Sequence, residues 1–200
     1  MPDTTGGTPG RFQIFKQVIE SISTDKDRLF VKEQELRDKI ILCVDCSERD
    51  YSKLVGKRGC NVNAMEVLFA LAAWRTEQKD GLVKISVPET SQRAPKEPFS
   101  FNPKWGEKNL KLLLLPMCEL ISGRGAVDVT NLTRESMLVR LTVYDYDGVT
   151  YRSENRGSET VSESSTETAL ERVFTAVAKA NGRDVEIELT RRELPDTSGR

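Results

Sequence analysis

Apolar positions along this chain alternate between helical and strand periods, and together they sketch two short α+β runs. Phe12, Phe15, Ile19 and Ile22 recur at helical spacing and predict a helix over about 11–23, ended by the polar run Thr24 to Asp27. Leu29-Phe30-Val31 reads as a short strand, and Lys39 to Val44 as a buried one. Ser47 is placed to cap a short helix running through Leu54. A longer helix is expected over about 60–77, with Val62, Met65, Leu68, Phe69, Ala72 and Ala73 on or near its inner side. Asp80-Gly81 predicts a turn, and Leu82 to Val87 a half-buried strand that Pro88 ends.

The second run has the same coarse order. A Leu-rich helix is expected from about Glu107 to Ser122, bent or stopped near Pro116. Val127 to Leu132 and Met137 to Tyr146 read as strands, followed by an Asp147-Gly148 hairpin turn and a returning strand over Val149–Arg152. Residues 153–165 are rich in Ser, Glu and Thr. Ser164 to Glu167 fits a capping box for a helix through Leu170, Val173, Phe174 and Val177, with Asn181-Gly182 as its stop. Val185, Ile187 and Leu189 alternate with Glu186 and Glu188 in a final strand.

Composition narrows the function classes. Two hundred residues are enough for one large or two small domains, and the formal net charge is −1. A protein that attracts nucleic acid by diffuse charge is usually basic overall, so any such contact here has to come from a local patch. Residues 90–127 are the basic stretch, with six bases against three acids, while the remainder after them is acidic. There is no histidine, which removes the commonest general base and transition-metal ligand. Cys43 and Cys46 form a C-x-x-C, but Cys60 and Cys118 supply no second close pair for zinc, so structural thiols are expected. Asp145 and Asp147 lack the remaining ligands of a calcium loop. No cofactor and no metal are expected, and no enzyme. Residues 1–10 read as a disordered polar terminus rather than a leader, and no apolar run is long enough to span a bilayer. A cytoplasmic protein without a membrane partner is expected.

The richest segment is Leu54-Val55-Gly56-Lys57-Arg58-Gly59, directly ahead of the long helix. Glycines tolerate positive φ and carry no side chain, so this backbone can turn tightly and press against a ligand. The first amides of the following helix add donors and the positive end of its dipole, and Lys57 and Arg58 add charge. A bare Gly-x-x-Gly is a weak signal, often only a helix–helix corner. In its context it resembles a type II KH (K-homology) domain, most of all in small bacterial KH RNA-binding proteins of the KhpA type. The resemblance covers about residues 11–88.

That resemblance implies an α+β fold: an N-terminal type II KH domain, helix on a small three-stranded sheet, over 11–89. A Pro-rich basic linker (90–106), a second small α+β domain (107–191) and a tail (192–200) would follow. The second domain reads equally as a degenerate KH-like unit or as an unrelated one. In the KH family the glycine loop clamps the backbone of about four single-stranded nucleotides, with the bases in a neighbouring apolar groove. Carried over, Gly56 and Gly59 would admit phosphates, Lys57 and Arg58 would pair with them, and Lys53 would join the patch. Val55 and Val62 would line the groove, Met65 would serve there or in the core, and Asn63 would offer hydrogen bonds to a base. Cys60 stands where many relatives have a polar or basic residue. The expected function is single-stranded RNA binding, with single-stranded DNA also admissible, as an RNA chaperone or post-transcriptional regulator. The alternative is a protein-interaction or homodimerisation module on the same scaffold that no longer binds RNA.

Overall fold

The computed structural model describes residues 10–87, 105–122, 125–131, 133, 136–144 and 163–192, and they form an α+β structure with two three-stranded sheets. In chain order the elements are α1 (Arg11–Ile22), β1 (Phe30–Glu35), β2 (Lys39–Asp45), α2 (Glu48–Val55), α3 (Cys60–Glu77), β3 (Asp80–Ser86), α4 (Glu107–Ser122), β4 (Gly125–Asn131), β5 (Ser136–Tyr144), α5 (Glu163–Ala180) and β6 (Asp184–Arg192). The expected returning strand Val149–Arg152, its Asp147-Gly148 turn and most of the 90–106 linker lie outside the described residues.

Both sheets obey one plan. In the first, β2 is central, antiparallel to β1 and parallel to β3. In the second, β5 is central, antiparallel to β4 and parallel to β6. The central strands alternate in the same phase: Ile40, Leu42 and Val44 point into the core from β2, as Met137, Val139 and Leu141 do from β5. The two halves then share one core. Each of α1 and α3 packs against both α4 and α5, and each sheet rests on its own half's helices. The helices therefore occupy the middle of the structure.

This arrangement explains α3. It spans the predicted Cys60–Glu77, but burial extends beyond its predicted inner side to Ala64, Ala70 and Leu71. A helix pressed by a sheet on one side and by other helices on another is apolar over most of its circumference.

β1, β3 and α5 differ from expectation, and α4 decides between two alternatives. β1 runs on through Lys32, Glu33, Gln34 and Glu35 because it is an edge strand, and polar side chains on an edge need not be buried. Asp80-Gly81 opens β3 instead of turning: a Cβ on Gly81 would lie 2.6 Å from Ala70 Cα and 2.8 Å from Phe69 O, so glycine is there to let strand and helix backbones approach. α4 has its expected bounds, Glu107–Ser122, and does not stop at Pro116. Proline removes the bond to the carbonyl of Leu112, and Leu112 is exposed, so water can serve that carbonyl. Finally, α5 begins at Glu163, which puts Ser164, the expected cap, inside its first turn rather than ahead of it.

Polar anchors fix the helices. Arg11, nearly buried at the start of α1, donates to both carboxylate oxygens of Glu33 at 2.9 Å, to Glu77 Oε1 at 2.9 Å and to Thr76 Oγ1 at 2.5 Å. Burial opposes its charge, but its hydrogen bonds to Glu33 and Glu77 outweigh that and hold its pKa above the ordinary value. Between the halves, Asn181 Nδ2 donates to Ser21 O at 2.9 Å and Arg75 donates to Ile121 O, while Arg183 donates to Trp105 O at 3.2 Å just ahead of α4.

Candidate nucleic-acid interface

The Gly56–Gly59 segment joins α2 to α3 through one short turn of 3₁₀ helix at Lys57–Gly59. Gly56 has φ 73° and ψ 174°, a region open essentially to glycine alone. A Cβ there would meet Asn61 Cγ at 2.7 Å and Cys60 Sγ at 2.9 Å, so space and dihedral angle both demand glycine. Gly59 (φ 78°, ψ 14°) is left-handed but open: its nearest neighbours would be Asn63 Nδ2 at 3.7 Å and Val62 Cγ1 at 3.8 Å. Arg58 also adopts positive φ, at 56°. Three of four residues in the turn thus hold conformations that ordinary side chains avoid, and the backbone is bent hard against the first turn of α3.

The side chains divide into two sets. Lys57 and Arg58 are exposed, and neither makes an ion pair or hydrogen bond with its side chain among the described residues. Asn63 is exposed beside Gly59. Val55 is half-buried, as is Val62, which packs on the core. Met65 is fully buried and belongs to the core. Lys53 is turned inward, 3.3 Å from Asp50 Oδ1 and 3.0 Å from Thr24 Oγ1. Cys60 is half-buried at the head of α3, with Sγ 3.4 Å from Asn61 Oδ1.

Two groups that support the turn have no signature in the sequence. Asn61 Nδ2 donates to Lys53 O at 2.8 Å and ties the first turn of α3 to the last turn of α2. Asp50, fully buried in α2, accepts from Ser23 Oγ at 2.5 Å, from Thr24 Oγ1 at 2.8 Å and from the backbone N–H groups of Thr24 and Asp25. Burial pushes its pKa up, but these hydrogen bonds prevail and bring it down to about 2. α2 is thereby fastened to the end of α1, and the turn it carries is fixed in place. Ser47, the predicted cap, accepts from Asp50 N at 3.3 Å.

None of the four thiols is in a disulfide. Burial, with Asp50 and Asp45 nearby, pushes Cys46 up to about 11, and burial pushes Cys118 up to about 12, so both stay protonated at neutral pH. No helix among the described residues is long and apolar enough to cross a membrane.

Compared with known protein families and with curated proteins, the chain matches none.

Proposed function

We propose that the chain binds single-stranded RNA through the Gly56–Gly59 turn, on a scaffold of the type II KH kind. The observation that carries this reading is a positive-φ turn at the head of a helix that presents two unpaired, exposed cations, Lys57 and Arg58. Supporting it is the order of the first half: helix, two strands, short helix, Gly-x-x-Gly, helix, strand, with one parallel and one antiparallel ladder. Phosphates would approach the main chain at Gly56 and Gly59, and Lys57 and Arg58 would set affinity and salt dependence more than sequence preference. No chemistry on the RNA is part of this reading; holding and remodelling single strands suits a chaperone or post-transcriptional regulator.

A second reading, a protein-interaction module, is favoured by α4. There Leu112, 61% exposed, lines with Leu115, Pro116, Lys108 and Lys111 an open hollow of about 580 Å³. Replacing Lys57 and Arg58 together by Asp separates the two. Loss of at least about tenfold in RNA affinity at an unchanged unfolding temperature is expected, because two phosphate contacts are lost and the positions are exposed. Equal RNA binding by wild type and the double variant would remove the turn from the site and favour protein contact.

A further inference from the structure

Beside the glycine turn lies a hollow of about 250 Å³ whose one wall is Asn61 and whose other wall is α5, through Glu171, Arg172, Thr175, Ala176 and Lys179. Asn61 is the residue a Cβ on Gly56 would strike, so the hollow opens directly off the turn. Its α5 side is one helical face, since positions 172, 175, 176 and 179 recur at intervals of three and four. The end of α5 is held at the same end of the molecule as α2, because Asn181 bonds to Ser21 O on the last turn of α1, next to the residues that grip Asp50. Arg172 and Lys179 are exposed, and like Lys57 and Arg58 they have no ion-pair or hydrogen-bond partner for their side chains among the described residues. One acid, Glu171, shares the hollow.

We infer that the single strand held at the turn continues into this hollow, so that Arg172 and Lys179 pair with its next phosphates and Thr175 donates a hydrogen bond between them. This rests on the RNA-binding reading above and extends it to the second half of the chain. Lys179 lies two turns beyond Arg172, about 10 Å along the helix axis, a rise spanned by about three stacked nucleotides. The charge suits a phosphate backbone, which is the commonest target of Arg and Lys at nucleic-acid interfaces. The occupied length would then be about seven nucleotides, rather than the four that one glycine loop clamps.

Labelled oligouridylates of about four and about twelve nucleotides, titrated against the full chain at two salt concentrations, test this. R172E/K179E is expected to weaken the longer oligonucleotide by about tenfold or more and to flatten its salt dependence by about 1.4 in log–log slope, while the shorter one changes less than about twofold. Glu171→Gln should strengthen only the longer one. Should R172E/K179E unfold at lower temperature than wild type, R172Q/K179Q supplies the same comparison without charge reversal. Wild-type-like binding of the longer strand by these variants, or equal losses for both lengths, overturns the inference while leaving the turn as a site. Absence of binding by the wild-type chain to either length defeats the RNA reading itself and the extension with it.

Discussion

The two halves of this chain share a strand order, a strand sense and a core phase, yet they differ in the connection from central strand to following helix. In the first half that connection is α2 and the glycine turn, with its buried carboxylate and exposed cations. In the second, residues 145–162 lie outside the described structure, and their glycines, Gly148 and Gly157, are not spaced as Gly-x-x-Gly. The comparison teaches that the shared topology builds a scaffold, while the candidate chemistry sits in the first half's connection. It also shows how the halves depend on each other: α5 covers the flank of α3 and supplies cations beside the turn that the first half does not itself carry.

The sharpest way to break the comparison is through each half's Arg–Glu link. Arg11 is nearly buried and bonded to Glu33, Glu77 and Thr76, whereas Arg140 pairs with Glu188 on an outer sheet face where both are more than half exposed. Arg11→Ala removes four hydrogen bonds made by a nearly buried guanidinium and should cost about 3–5 kcal/mol. Arg140→Ala should cost under about 1 kcal/mol. Denaturant titrations of the two variants check this, and comparable losses would mean that the halves are anchored alike. Next in size are the glycines. Gly56→Ala meets both a forbidden conformation and Asn61, and should cost about 3 kcal/mol. Gly59→Ala meets open space and only the left-handed penalty, about 1 kcal/mol. A reversed order would show that Asn61 yields easily and that the turn is less firmly set than its geometry implies.

Much of this was legible in the chain before its structure. Helix α3 and the head of α4 announce themselves because long apolar periodicity is a local signal, and the glycine pair announces a tight turn because positive φ is costly for other residues. The edge strand β1 was underestimated, since its polar half carries no burial signal. Gly81 was misread because a glycine for close backbone approach looks, in sequence, like a glycine for turning. The groove on α5 was beyond reach: Arg172 and Lys179 become neighbours of Asn61 only when the halves pack together. Asp50 lay in plain sight after Ser47, yet nothing local says that its carboxylate reaches back to Ser23 and Thr24.

Asp50 gives an effect smaller than those of Arg11 and Gly56, and it is the one that ties the turn to its scaffold. In the folded chain its pKa is about 2, against about 4 for a free aspartate. A depressed carboxyl contributes stability that is whole above the unfolded value and is lost as the pH falls toward the folded one. The difference of nearly two units corresponds to about 2 kcal/mol, present above about pH 5 and lost progressively toward pH 2. Asp50→Asn should therefore be less stable at pH 7 by about that amount, and between pH 5 and pH 2 its stability should fall by about 2 kcal/mol less than that of wild type. Denaturant midpoints measured across that range decide the matter. Parallel curves for the two proteins would mean that the carboxylate does not hold α2 by its charge. In that case the fixed position of the turn would rest on Asn61 and the glycine conformations alone.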